Sequence, residues 1–222
     1  MLVFSHRGYH ETLPENTLAA FQAAVEMGVD GIETDVRLSA DGQAVLYHDR
    51  HAPNGHTVAE LTRVELARAS GHEIPTLGEI LERWPDLTWN IEIKVPEAVP
   101  LSSEILRRFK GSRRPLVTSF WHSVVDQMRR VPQVDCGVLV AHRPTDLAMV
   151  ESGWTPGLSR LTTIVWKYDT VDAELTAQAR QKGLVNLAYD VESPAEHDAA
   201  AALGLDGIIT DRPEFLLRSK KT

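Results

Sequence analysis

Gly31-Ile32-Glu33-Thr34-Asp35-Val36 is the stretch on which the reading of this chain turns. Its two acids stand two residues apart in a β-rich run, so on a strand Glu33 and Asp35 share one face. Upstream, Leu2–Ser5 is another short apolar run, and Thr17–Met27 between the two has helical period and exits at Gly28. Strand, helix, strand is the unit of a parallel sheet. The alternation continues outward, with further strands expected near Thr88–Ile93, Pro115–Thr118, Cys136–Val140, Thr163–Trp166, Leu184–Ala188 and Gly207–Thr210. Helical patterns fall over Leu77–Trp84, Ser102–Phe109, Ser123–Val131, Ala173–Lys182 and Ala195–Leu203. A hairpin turning at Asp41-Gly42 returns Ala44–Tyr47 alongside the second strand and ends at His48. Eight strands in 222 residues predict one domain over residues 1–222, a (β/α)₈ TIM barrel with a short hairpin insertion after the second strand. An open doubly wound sheet is the alternative, but no glycine-rich dinucleotide loop follows the first strand.

Composition narrows the function. With 43% hydrophobic and 24% charged residues the chain is neither disordered nor fibrous. Its 23 Lys and Arg against 31 Asp and Glu give a net charge of −8, so nucleic acid is not expected as a partner. The same charge repels a small anion, and phosphate chemistry here would need a local cation. A single cysteine, Cys136, excludes an internal disulfide and a cysteine-based zinc site, and is expected in the core. Met1-Leu2-Val3-Phe4 runs directly to His6 and Arg7, leaving no room for a secretion signal, and no apolar run approaches the roughly 20 residues of a membrane span. A cytoplasmic protein is expected.

In a parallel barrel the carboxyl ends of the strands carry the active site, and here those ends hold His6-Arg7, Glu33 with Asp35, Glu92 with Lys94, and Ser119. Glu33, Asp35 and Glu92 offer three hard oxygen ligands, suited to Mg²⁺ or Ca²⁺. His6 and His48 offer groups that move protons near neutral pH. Each piece has a plainer reading: Glu-x-Asp as a solvated strand face, either histidine as structural, Lys94 as an ion-pair partner of Glu92. Asn16 reads as a helix N-cap after Pro14, and Glu15 as a complement to the helix dipole. His10, His51, His56, His72, His122, His142 and His197 lack ligand-like spacing and are assigned to surface or packing.

His6-Arg7-Gly8, Pro14-Glu15-Asn16-Thr17 with Phe21, Gly31 to Val36, Asp41-Gly42 and His48-Asp49 follow one another at informative separations. Ile74-Pro75-Thr76-Leu77, Glu92-Ile93-Lys94, Ser119-Phe120 and the closing Gly204 to Pro213 continue the series. In these residues the chain resembles the glycerophosphodiester phosphodiesterase family. The resemblance implies a barrel, one divalent cation (Mg²⁺ or Ca²⁺, with Mn²⁺ also suitable), and hydrolysis of a small-molecule glycerophosphodiester to glycerol 3-phosphate and an alcohol. It implies Glu33, Asp35 and Glu92 as metal ligands, His6 and His48 as the acid–base pair, and Arg7 and Lys94 on the phosphate oxygens. His6 is expected as the first base and His48 as the first acid. Two departures bear on substrate: only a short stretch around Asp49–Thr62 separates the His-Asp pair from the next helix, and the seventh barrel strand ends Leu187-Ala188-Tyr189-Asp190-Val191 in place of a Trp-Thr-Val-Asn-like run. The alternatives are a phospholipase D-like enzyme acting on lysophospholipids and a non-catalytic phosphate-binding relative.

Overall fold

The computed structural model describes residues 1–151 and 161–217. Its strands are β1 (Leu2–His6), β2 (Gly31–Leu38), β3 (Ala44–Leu46), β4 (Thr88–Ile93), β5 (Leu116–Ser119), β6 (Asp135–Val140), β7 (Leu161–Lys167), β8 (Val185–Tyr189) and β9 (Gly207–Thr210). All but β3 pair in parallel, in the order β1-β9-β8-β7-β6-β5-β4-β2, and β1 also pairs with β2, which closes the ring. The result is the expected eight-stranded (β/α)₈ barrel. Its helices are α1 (Leu18–Met27), α2 (Arg63–Ser70), α3 (Leu77–Arg83), α4 (Val99–Arg108), α5 (His122–Met128), α6 (Leu147–Glu151), α7 (Ala173–Gln181), α8 (Pro194–Ala200) and α9 (Glu214–Leu217). Among the described residues no helix is long and apolar enough to cross a membrane.

Local chemistry sets the helix ends. Thr62, Thr76 and Ser193 each form a capping box with a glutamate three residues on, and Gly28 and Gly71 close α1 and α2 in the left-handed conformation. Two expectations are corrected here. Thr17, not Asn16, caps α1, accepting from the Ala20 amide, while Asn16 takes a left-handed turn of its own (φ 55°). α4 starts at Val99, continuing a 3₁₀ turn over Pro96–Ala98, rather than near Ser102. Prolines 96 and 100 fall in opening turns, where a missing N–H leaves no hydrogen bond unmade.

Among the described residues, three apolar clusters hold the fold. The largest lies between strands and helices and includes an aromatic group in which Phe21 meets Trp89 edge to face at 5.3 Å. A smaller one (Phe4, Leu116, Leu139, Val165, Leu187, Ile209) fills the barrel below the rim. The third, including Val45, Val58, Leu66 and Ile74, gives the hairpin its own support. β1 pairs with β2 only over Gly31–Glu33; beyond that point β3 takes the same edge antiparallel, over Val36–Leu38. The Tyr47 amide then donates to the Asp35 carbonyl at 3.0 Å, which delivers His48 to the rim.

Gly31 shows how closely β1 and β4 approach β2. A Cβ there would lie 2.5 Å from Phe4 Cε1 and 2.6 Å from the Thr88 carbonyl oxygen. Overpacking of this kind costs about 1–3 kcal/mol, so Gly31→Ala is expected to lower the melting temperature by roughly 2–10 °C. Gly78, in α3 with nothing within 4 Å of its Cβ position, is the control. Gly78→Ala should hold or raise the melting temperature, and equal losses in both variants would refute the packing argument.

Candidate active site

Strand register assembles the rim. His6 stands opposite Glu33 across β1 and β2, and Asp35 opposite Glu92 across β2 and β4. Glu33, Asp35 and Glu92 are buried and present ligand oxygens within 4.8 Å of one another. Oxygen ligands sit about 2.0–2.6 Å from Mg²⁺ or Ca²⁺, so two ligands of one ion are at most about 5 Å apart, and the three acids fit a single ion. Asp35 Oδ1 is buried without a hydrogen bond, its nearest cation being Lys94 Nζ at 3.3 Å. A spare buried acceptor of this kind suits a ligand position.

Two cations oppose the acids. Lys94 Nζ lies 2.9 Å from Glu92 Oε1, and Arg7 Nε lies 3.2 Å from Asp35 Oδ2. Arg7 is turned inward by a left-handed backbone (φ 56°), and its Nη1 donates to Glu15 Oε2 at 2.8 Å. Glu15 thus pairs with Arg7, a contact beyond the helix-dipole role expected of it. Asn16 Nδ2 donates to Asp35 Oδ2 at 2.9 Å while its Oδ1 accepts from Thr34 at 2.7 Å, so it orients an acid. Burial, then Asp35 and Glu92, push the Glu33 carboxyl well above the usual range. Burial, then Asp35, also raises Glu92. Burial works against the Asp35 charge too, but Lys94 and Arg7 outweigh it and hold that carboxyl low.

Both histidines are tied through Nδ1 to a carboxylate. His6 Nδ1 lies 2.6 Å from Asp211 Oδ1, leaving Nε2 directed at the acids, 3.8 Å from Glu33 Oε2. His48 Nδ1 lies 2.8 Å from Asp49 Oδ1, and Arg37 donates twice to the His48 carbonyl. Burial, assisted by Arg7 and Lys94, lowers the His48 pKa. Asp211 was not among the expected site residues, and His10 was assigned to surface or packing. The structure puts His10 Nε2 3.1 Å from the same Asp211 oxygen. The signal for Asp211 was its place, one residue beyond the last barrel strand. Ser119 does not join the site: its hydroxyl donates to the Ile93 carbonyl and accepts from the Trp121 amide, shaping the turn after β5. His197 is buried between the Ser193 carbonyl and Thr210 Oγ1, a packing role as expected.

His6, Arg7, Glu33, His48, Glu92 and Lys94 line one cavity of about 220 Å³. A larger one, about 410 Å³, opens beside Leu81, Ile105 and Phe109 but contains no histidine and a single carboxylate, Glu82. Chemistry therefore selects the smaller. A sequence model of the Glycerophosphoryl diester phosphodiesterase family matches residues 6–215. The chain belongs to that family. Among its relatives, a glycerophosphodiester phosphodiesterase of Caldanaerobacter subterraneus subsp. tengcongensis is 29% identical, over 97% of this chain and 96% of that protein. The solved glycerophosphodiester phosphodiesterase of Thermotoga maritima has a TM-score of 0.82 at 28% identity, covering 99% of this chain and 98% of that one. An Oleispira antarctica phosphodiesterase, solved in complex with the product sn-glycerol-3-phosphate, shares the fold with a TM-score of 0.85 at 20% identity, over 100% and 97% of the two chains.

The Glu33 shift predicts a stability signature for this family member. A carboxyl whose pKa is raised in the folded state binds its proton more tightly there than when unfolded, so it destabilises the fold as pH rises above the unfolded value of about 4.3. In EDTA, Glu33→Gln should therefore melt higher than the parent at pH 8, with the gap shrinking towards pH 4. A gap that stays constant across that range would show that Glu33 carries no such electrostatic cost.

Proposed function

We propose that residues 1–222 act as one barrel domain that hydrolyses glycerophosphodiesters to glycerol 3-phosphate and an alcohol, with a divalent cation held by Glu33, Asp35 and Glu92. The observation that carries this reading is the charge of the pocket. Three carboxylates stand against Arg7 and Lys94, so the fully ionised site has one net negative charge and repels a phosphodiester anion. Residues built only to bind phosphate would not be arranged so; a divalent cation reverses the sign. When bound, it stabilises the charge that grows on the phosphoryl oxygens.

The chain's own groups do the rest. Arg7 and Lys94 hold the non-bridging oxygens and fix the phosphorus against the histidines. His48, whose pKa is lowered by partial burial and by Arg7 and Lys94, takes the proton of the attacking glycerol hydroxyl as its oxygen bonds to phosphorus. His6, oriented by Asp211, gives a proton to the alcohol oxygen as its bond to phosphorus breaks. Water then opens the cyclic phosphate with the two roles exchanged, and both rings return to their starting state. This order reverses the one expected from sequence, and its ground is the lowered pKa of His48 beside Arg7 and Lys94. A cavity of about 220 Å³ lies below the about 300–1,000 Å³ usual for drug-sized ligands, which favours a small diester over a lysophospholipid.

Chelation is expected to abolish turnover, and Mg²⁺, Ca²⁺ or Mn²⁺ to restore it; full activity in metal-stripped protein would reject the cation. Glu33→Gln, Asp35→Asn and Glu92→Gln should each weaken cation binding measured by calorimetry while the barrel stays folded. Retained affinity in all three would move the site elsewhere.

The histidines are separated by the leaving group. His6→Ala and His48→Ala should each lose about 10²–10⁴ in rate with near-native melting temperatures. On a glycerol phosphodiester of p-nitrophenol, which departs without a proton, His6→Ala should recover part of its rate and His48→Ala should not. The opposite pattern exchanges the roles, and near-normal rates in both variants would end the histidine-pair mechanism.

A further inference from the structure

The proposed chemistry draws on β1, β2, β4 and the hairpin, one arc of the rim. The arc from β5 to β8 is built differently. Phe120 follows β5 and Tyr189 ends β8, and their rings meet edge to face with centroids 5.9 Å apart. Both line the same cavity as His6, with Leu139 and Ile209 beside them. Phe120 is 42% exposed, so part of its ring is open to a molecule in the cavity. Tyr189 lies in the stretch over residues 187–191 that stands in place of the Trp-Thr-Val-Asn-like run, and the next residue, Asp190, brings a carboxylate.

Asp190 lines the cavity mouth, is exposed, and holds a left-handed backbone (φ 58°) that an aspartate tolerates. Its side chain has no hydrogen bond or ion pair among the described residues. Asp169 and Glu192 add negative charge nearby, and the ammonium that all three act on, Lys167, is already tied to Asp169 at 2.9 Å. Aromatic faces beside an unpaired carboxylate form the environment that attracts an organic cation, through the ring quadrupole and through charge. A neutral polyol gains little from the ring faces, and an anionic alcohol is repelled by Asp190.

Resting on the diesterase reading above, we infer that this arc is the alcohol subsite and that it takes an alkylammonium alcohol, so that the preferred substrates are zwitterionic diesters. The net charge of −8 acts in the same direction. A zwitterionic diester carries no net charge to be repelled on approach, whereas a diester of a neutral alcohol carries one negative charge. Phosphate and head group then meet opposite arcs: Arg7 and Lys94 receive the anion, and Phe120, Tyr189 and Asp190 receive the cation.

The test compares kcat/KM for glycerophosphocholine, glycerophosphoethanolamine and glycerophosphoglycerol with the intact, metal-loaded chain. The two cationic substrates should lead glycerophosphoglycerol by about 3- to 30-fold, the range a cation–π contact spans. Asp190→Asn and Tyr189→Leu should each reduce that ratio, and Asp190→Lys should invert it. Tetramethylammonium chloride should compete with glycerophosphocholine more strongly than sodium chloride at equal ionic strength, and lose that advantage in Asp190→Asn. Equal kcat/KM for all three diesters, or a ratio unchanged in the Asp190 and Tyr189 variants, overturns the subsite while leaving the diesterase activity in place. Turnover of none of them overturns the diesterase reading and this inference with it.

Discussion

Asp35 is where the opposing charges of this protein meet. Its carboxylate faces Arg7 Nε at 3.2 Å, Lys94 Nζ at 3.3 Å and Asn16 Nδ2 at 2.9 Å, with Glu33 and Glu92 on either flank. A fully buried carboxylate stays ionised only when nearby cations and donors offset its lost hydration. Two of those three partners, Arg7 and Lys94, stand one residue beyond β1 and β4, and the third comes from the loop before α1. The pairing of β1, β2 and β4 in one register is therefore a condition of the site's electrostatics as well as of the barrel's closure.

The hairpin extends the same constraint. β1 ends at His6 and frees the upper edge of β2, and β3 pairs there before the chain turns to His48. One strand edge thus serves two partners in succession, and each leaves a histidine at the rim. The small cluster of Val45, Val58, Leu66 and Ile74 supports the hairpin that holds the proposed proton carrier, since a side chain on an unsupported loop would be poorly placed for in-line displacement. Arg37, donating twice to the His48 carbonyl, fixes the backbone at that point.

What could be read from the sequence was what is local or periodic. Glu33 and Asp35 share a face because strands have period two, and all eight barrel strands lie near their expected positions because apolar runs alternated with helical ones. Asn16 was misread because an Asn after Pro-Glu looks like an N-cap; its left-handed φ and its reach to Asp35 arise from the fold, not from neighbouring residues. His10 and Asp211 could not be paired by spacing, since 201 residues separate them. The order proposed for the two histidines rests on the lowered pKa of half-buried His48, set by neighbours that no sequence pattern encodes. Long-range polar contacts were invisible for a common reason: each residue had an adequate local explanation.

The contact between His6 and Asp211 carries a consequence for how folding and chemistry are linked. β9 pairs with β1 through Ser5 and Thr210, so the residues one step further along, His6 and Asp211, become neighbours as soon as the last strand docks. Thr210 is held in turn by His197 of α8, and the Arg212 amide donates to its hydroxyl, which sets the direction in which the chain leaves the strand. The proposed proton donor is thus oriented by the strand that closes the barrel. Glu33, Asp35 and Glu92 are set side by side by the pairing of β2 with β4, in which β9 takes no part. His6 gains its carboxylate only from the residue after β9, so the acids belong to the sheet's first half and the oriented histidine belongs to the closed ring.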